Sequence, residues 1–152
     1  MPRSSISGLD AHLGYWLRFV SNHVSLAFAR KVEERGATVA EWVLMRQLLD
    51  IEALAPSDIA DRLGMTRGGV TRLADRLIAK KLLRRSADPS DGRAQRLSLT
   101  KAGRELVPVL AALADKNDAE FFGDLPDRDR AALTRILTGV VERRGLRHVP
   151  VD

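Results

Sequence analysis

The stretch Leu54–Arg85, LAPSDIADRLGMTRGGVTRLADRLIAKKLLRR, predicts two short helices joined by a tight turn. Pro56 can occupy the first position of the first helix, where the missing N–H of proline costs nothing, and Gly64 can end that helix. Thr66 can cap the second helix by accepting a hydrogen bond from a backbone N–H. Apolar residues recur at helical spacing on one side of the second helix, so its basic and small residues share the other side. This pattern is a helix-turn-helix whose second helix is shaped to enter the major groove of DNA.

The free side of the second helix carries residue types suited to DNA. Arg67 and Arg72 can pair with phosphate or with guanine in bidentate fashion, and hydroxyls at Thr66 and Thr71 can reach phosphates or base edges. A pair of glycines weakens this helix by up to about 1 kcal/mol each relative to alanine, which indicates that another molecule approaches the backbone closely. A plain helical hairpin with solvated arginines is the alternative. The candidate contacts in this helix are Thr66, Arg67, Gly68, Thr71 and Arg72.

A basic β-hairpin is predicted directly after the second helix. The segments LLRRS (82–86) and RLSL (96–99) are short enough to be strands, and Pro89 with Asp91-Gly92 marks the loop that joins them. Arginine is favoured in a narrow minor groove, so Arg93 at the tip fits insertion there. Asp91 could orient the guanidinium of Arg93 through a charge-assisted hydrogen bond. Arg96 is equally consistent with a phosphate contact and with a solvated strand position.

Four further helices flank this unit. A long amphipathic helix is predicted from Leu9 to about Arg35, ended by Gly36, and Thr38 can cap a second one, VAEWVLMRQLLDIE (39–52). After the hairpin, Thr100 can cap a helix over 101–122, and Pro126 opens a final helix that Gly145 ends. The predicted fold class is therefore mainly α with a small β-hairpin wing (α+β).

The helix-turn-helix followed by DPSDGRAQRLSLTKAGREL (88–106) resembles the MarR family of winged helix-turn-helix transcription regulators. The close motif match covers about 50 residues, and the order of six helices and one hairpin extends it loosely over nearly the whole chain. Ala55 departs from the family pattern where Ser or Thr is common, and Lys81 departs where Gly usually ends the recognition helix. The resemblance implies a single domain over 1–152, with a winged DNA-binding part over 38–100 and dimerisation helices over 8–35 and 101–146.

The resemblance also implies partners and sites. It predicts a homodimer on a pseudo-palindromic operator, usually a repressor relieved by a small molecule, and it places the wing-tip contacts on Asp91 and Arg93. The dimerisation residues are expected to be Leu9, Leu13, Leu17, Leu133, Ile136, Leu137 and Val140. A pocket for a small aromatic or phenolic acid is expected near Trp16, Phe19, His23, Trp42 and Arg46, although aromatic residues on an inward helix face are often plain core.

Charge and composition limit the other function classes. Between Ala55 and Arg104 there are 12 Lys and Arg against 5 acidic residues, whereas the rest of the chain has 13 against 15, so the positive excess is confined to the middle third. Such localised charge favours a polyanionic partner.

Cysteine is absent, and neither a glycine-rich phosphate loop nor a recognisable Ser/His/Asp set is present, so no enzyme is expected. The three histidines are too scattered for a metal site, and no cofactor is expected. No apolar run is long enough for a membrane span, which predicts a soluble cytoplasmic protein. An architectural nucleic-acid-binding protein without sequence preference or effector is the rival hypothesis.

Overall fold

The computed structural model describes residues 6–148 and consists, over that range, of six α-helices and a two-stranded antiparallel hairpin. A 3-10 turn at Leu9–Ala11 precedes the first helix. The elements are α1 (Leu13–Glu33), α2 (Val39–Gln47), α3 (Pro56–Leu63), α4 (Arg67–Ala79), β1 (Leu83–Ala87), β2 (Gln95–Leu99), α5 (Lys101–Phe122) and α6 (Asp127–Arg144). The predicted fold class, a helical protein with a β-hairpin wing, is confirmed.

Three threonines begin helices as the sequence predicts. The side chains of Thr38, Thr66 and Thr100 accept hydrogen bonds from the backbone N–H three residues later, at 3.1, 3.0 and 3.1 Å. Each bond satisfies one of the N–H groups that a helix start leaves without a partner. Gly64 ends α3 in the left-handed conformation, with φ of 65°. The boundaries of the helix-turn-helix are therefore set by local chemistry.

Two predicted helix boundaries are wrong. His12 is extended (φ −100°, ψ 127°), so the predicted helix from Leu9 splits into the 3-10 turn and α1; the indole N–H of Trp16 donates to the carbonyl of Asp10 at 2.8 Å and holds that turn against α1. The helix predicted over 39–52 ends at Gln47. The chain turns there because Leu54 pairs with Leu97 of β2, with N···O distances of 3.0 and 2.7 Å.

The hydrophobic core lies within the winged unit and the start of α5. Leu44, Met45 and Leu48, from α2 and its C-terminal end, are fully buried there with Ile59 of α3. Of the described residues of α1, Val32 alone is buried, and α6 has no buried residue. The long helices α1 and α6 therefore contribute little to the core of the single chain, and most of their apolar side chains stay exposed.

The wing is joined to the core through β2. Leu83 faces Leu99 and Ser86 faces Arg96 in the antiparallel register. The guanidinium of Arg96 donates to the backbone carbonyl of Ala53 at 3.1 Å. Arg96 therefore braces the chain that precedes α3 against β2, a structural role that neither of the two sequence alternatives contained.

Candidate nucleic-acid interface

The start of α4 exposes two arginines that have no partner within the described chain. Arg67 and Arg72 are exposed and form neither a side-chain hydrogen bond nor an ion pair with residues 6–148. Both threonine hydroxyls already form one hydrogen bond within the chain. The Thr66 hydroxyl oxygen accepts from the backbone N–H of Gly69, and the Thr71 hydroxyl donates to the carbonyl of Arg67 at 2.9 Å. The arginines are thus the groups at this helix start that are available to an anionic partner.

Gly68 has no internal packing reason to be a glycine. A Cβ at Gly68 would meet only the guanidinium of Arg72, at 3.6 Å, which is an ordinary van der Waals distance. At Gly69 the space is tighter, because a Cβ would lie 3.2 Å from the Thr66 hydroxyl oxygen and 3.3 Å from the Met65 methyl group. Glycine at position 68 therefore costs the helix up to roughly 1 kcal/mol relative to alanine, and no packing within the described chain requires it.

The wing tip is a hydrogen-bonded turn that leaves the Arg93 guanidinium free. The Asp88 carboxylate accepts from the N–H and hydroxyl of Ser90 at 2.8 and 2.7 Å, and these bonds lower the pKa of Asp88 below its usual 3.8. Asp91 accepts from the backbone N–H of Arg93 at 3.0 Å. The structure shows no bond between Asp91 and the Arg93 guanidinium, so the expected orienting role of Asp91 stays a prediction; the Arg93 side chain has no partner among the described residues.

An ion pair that the sequence analysis did not predict joins α4, the second helix of the helix-turn-helix, to the wing. Asp75, on the exposed side of α4, pairs with Arg85 of β1 at 2.5 Å. The chain between them turns at Lys81, which adopts a left-handed φ of 62°. Lys81, which stands where the family pattern has glycine, thus adopts the left-handed conformation that glycine favours. For a residue with a Cβ, this conformation costs about 1–2 kcal/mol of conformational free energy. The turn into the wing remains sharp.

An ion pair with one buried partner, Glu41, holds the C-terminal end of α4. Glu41 of α2 is 1% exposed, and its two carboxylate oxygens accept from the Lys80 ammonium at 3.0 and 2.8 Å. The same ammonium donates to the carbonyl of Gly36 at 2.9 Å, in the turn between α1 and α2. Lys80 therefore connects the C-terminal end of α4 to the end of α1. No local sequence signal indicates these contacts, because Glu41 and Gly36 precede Lys80 by 39 and 44 residues.

The expected effector residues occupy two separate environments. Trp16, Phe19 and His23 follow one another along α1, with ring centroids 6.4 and 5.2 Å apart. Trp42 packs edge-on against Phe28 at 6.4 Å, and Arg46 pairs with Asp50 at 2.9 Å. The pocket assignment stays a prediction.

Residues 6–148 contain no group of three or more His, Cys, Asp or Glu side chains that could hold a metal ion. Within the same range, no helix combines the length and apolar character needed to cross a membrane.

Comparison with known proteins finds one family model and several similar chains. The model, described as MarR family, matches residues 35–94. The transcriptional repressor MdtR of Bacillus subtilis is 36% identical over 72 residues, which cover 47% of this chain and 46% of that protein, so the chain spans about half the length of this relative. BpsR of Bordetella bronchiseptica, whose DNA binding is regulated by 6-hydroxynicotinic acid, has a similar structure with a TM-score of 0.77 and 26% identity over 90% of this chain and 97% of that one. A probable transcriptional regulator from Pseudomonas aeruginosa is similar with a TM-score of 0.77 and 25% identity over 88% of this chain and 99% of that one.

Proposed function

We propose that the chain is a member of the MarR family of winged helix-turn-helix regulators, whose model matches residues 35–94, and that it is a DNA-binding repressor that acts as a homodimer on a pseudo-palindromic operator. The observation that carries the proposal is the unpaired arginine set on two linked elements. Arg67 and Arg72 on α4 and Arg93 on the wing have no acidic partner in the described chain, and the Asp75–Arg85 pair joins the two elements. Unpaired arginines on a helix and an adjoining hairpin suit simultaneous contact with a major and a minor groove.

The homodimer is supported by the exposure of α6. Leu133, Ile136, Leu137 and Val140 recur at helical spacing, and all are 39–52% exposed. Leu9, Leu13 and Leu17 at the other end of the chain are also exposed. Contiguous apolar stripes of this size mark an association surface, and a two-fold pair would bring two recognition helices to half-sites about one DNA turn apart.

A small-molecule effector is supported by a similar protein. BpsR is regulated by an aromatic acid, and the aromatic series Trp16, Phe19 and His23 on α1 offers half-exposed rings for stacking. We therefore retain the proposal that a small aromatic acid releases the repressor from DNA, with Trp42 and Arg46 as the expected contributions of α2.

A gel-shift titration on DNA upstream of the protein's own gene, with scrambled DNA of the same composition as competitor, tests the repressor. We expect nanomolar-range binding that weakens steeply with salt and exceeds binding to the scrambled DNA by about a thousandfold or more. Equal affinity for both DNAs would contradict the repressor and favour the architectural alternative.

The wing contact has its own variant. Arg93→Ala should weaken operator binding about tenfold or more, since an arginine in the groove contributes about 1–3 kcal/mol. Arg128→Ala, an exposed arginine at the start of α6, is the matched control and should bind like the wild type. The mass in solution should be unchanged in both, and unaltered affinity in Arg93→Ala would show that the tip does not enter the groove.

A further inference from the structure

Strand β2 leaves the core of the domain at Arg96. Leu97 is fully buried and exchanges two backbone hydrogen bonds with Leu54, in the segment before α3, at 3.0 and 2.7 Å. Arg96 is the next residue towards the tip of the wing, and its guanidinium donates to the carbonyl of Ala53 at 3.1 Å. Beyond it, residues 86–95 form no hydrogen bond or ion pair with any described residue outside the hairpin. Arg96 therefore forms the outermost polar contact between β2 and the rest of the described chain.

The tip of the wing is closed by its own hydrogen bonds. The backbone N–H of Asp88 donates to the carbonyl of Ala94, and the N–H of Ala94 donates to the carbonyl of Asp91, both at 3.0 Å. The N–H of Arg93 donates to the Asp91 carboxylate. Because these bonds fix the loop internally, the direction in which Arg93 points depends on how the hairpin is held at its base.

Two polar contacts hold the base of the hairpin, one on each strand. On β1, Arg85 pairs with Asp75 of α4. On β2, Arg96 donates to the carbonyl of Ala53. Arg85 lies opposite Leu97, the neighbour of Arg96, so the two contacts are at nearly the same level of the hairpin. With one of them removed, the hairpin can turn about the other.

The charge of Arg96 also acts on the tip of the wing. The pKa of Asp88 is lowered mainly by its hydrogen bonds from Ser90, and the positive charge of Arg96 lowers it further. Arg96 thus interacts with the carbonyl of Ala53 through a hydrogen bond and with the carboxylate of Asp88 through its charge. A guanidinium group suits this double role because it presents five N–H donors in one plane.

The two arginines of the outer wing differ in their surroundings. Arg93 is exposed and its side chain has no partner among the described residues, whereas Arg96 is half-buried and its guanidinium is bonded within the chain. A binding side chain contributes fully only when the groups around it hold it in the productive geometry. We propose that Arg96 is a positioning residue for DNA binding, whose bond to the carbonyl of Ala53 fixes the hairpin so that Arg93 is aligned with the minor groove. This inference rests on the proposed function, because it presupposes that the wing contacts DNA.

A double-mutant cycle on operator affinity separates positioning from direct contact with DNA. Arg96→Gln should weaken operator binding about fivefold in the wild-type background, the factor that one hydrogen bond represents. In the Arg93→Ala background the same change should cost less than about twofold, because the side chain that Arg96 positions is then gone. Arg84→Gln is the matched control, since it removes the same charge from β1 and its bond to Ser98 stays within the hairpin. It should change the affinity by the same factor in both backgrounds.

Two nuclear magnetic resonance measurements complete the test. In the free protein, residual dipolar couplings of the wing-tip amides should fit one alignment with those of α4 in the wild type and in Arg84→Gln, and should depart from it in Arg96→Gln. In the wild-type complex, the guanidinium Nε–H signal of Arg93 should shift on addition of operator DNA, and that of Arg96 should not, since it stays bonded to Ala53. The second measurement needs no variant, so it decides the question even if Arg96→Gln fails to fold.

The outcomes separate the alternatives. An equal loss of affinity from Arg96→Gln in both backgrounds, or an Arg96 signal that shifts as much as that of Arg93, would overturn the positioning role and assign Arg96 a direct phosphate contact. No loss in the wild-type background, or dipolar couplings in Arg96→Gln that still fit the wild-type alignment, would also overturn it. A wild-type protein that binds no specific DNA would refute the proposed function, and the dipolar couplings of the free protein would then still decide whether Arg96 holds the wing.

Discussion

Replacing Lys80 by methionine tests whether the buried carboxylate of Glu41 positions the recognition helix. Methionine keeps the aliphatic length of lysine and removes the ammonium, so Glu41, 1% exposed, loses both of its hydrogen bonds to Lys80 at once. Breaking a buried ion pair from one side costs about 3–5 kcal/mol. The Lys80 side chain is 39% exposed, so water can reach the remaining carboxylate in part, and we expect a loss of about 3 kcal/mol, the lower end of that range.

The assay is urea unfolding at one fixed protein concentration, followed by circular dichroism. The double variant Glu41→Leu/Lys80→Met removes both charges together and should lose less than about 1 kcal/mol, because an apolar pair of similar volume substitutes for a buried ion pair at little cost. Lys116→Met, an exposed lysine on α5, is the control and should change stability by less than about 0.5 kcal/mol. If Lys80→Met loses less than about 1 kcal/mol, or if the double variant loses as much as the single one, the reasoning is refuted, since Glu41 would then not depend on Lys80.

Three further changes address the turns that frame the interface. Gly103→Ala should destabilise the protein by about 1–3 kcal/mol in the same assay, because the new Cβ would overlap the backbone carbonyl of Leu82. A gain in stability, as helix propensity alone predicts, would contradict this. Lys81→Gly should stabilise by about 0.5–1 kcal/mol, since relief of the left-handed φ of 62° exceeds the added chain entropy of glycine, and a loss would show that the lysine side chain holds the turn. The hydrogen bonds from Ser90 to Asp88 at the wing tip should persist above pH 3.8 and be lost as the pH falls through the lowered pKa of Asp88, because only the ionised carboxylate accepts both bonds. The amide signal of Ser90 in a nuclear magnetic resonance titration reports the loss. A midpoint at or above 3.8 would refute the prediction.

The local features of the fold were predictable from the sequence. Thr66 caps α4 and Gly64 ends α3 because each signal depends on groups within four residues along the chain. The start of α1 and the end of α2 were not predictable in the same way. The extended conformation of His12 and the pairing of Leu54 with Leu97 override a helical pattern that continues across both positions.

The candidate interface was predictable only in part. The arginines of α4 and of the wing tip were identified from their residue type and position, and the structure leaves them unpaired. The expected contact of Asp91 with the Arg93 guanidinium stays a prediction, since the bond that the structure shows runs from the backbone N–H of Arg93 to the Asp91 carboxylate, as the turn favours. Arg96 could not be assigned because its acceptor, the carbonyl of Ala53, lies 43 residues away.

The sequence by itself determined the order of the elements, the helix caps, the basic middle third and the resemblance to the MarR family, since all of these depend on residues close together along the chain. Only the tertiary structure decided which charged side chains pair with one another inside the chain and which stay unpaired on its surface. The Lys80 bonds to Glu41 and Gly36 and the Asp75–Arg85 pair join residues from different elements. The strength of such contacts depends on burial and on distances of about 3 Å, quantities that a linear pattern of residue types does not contain.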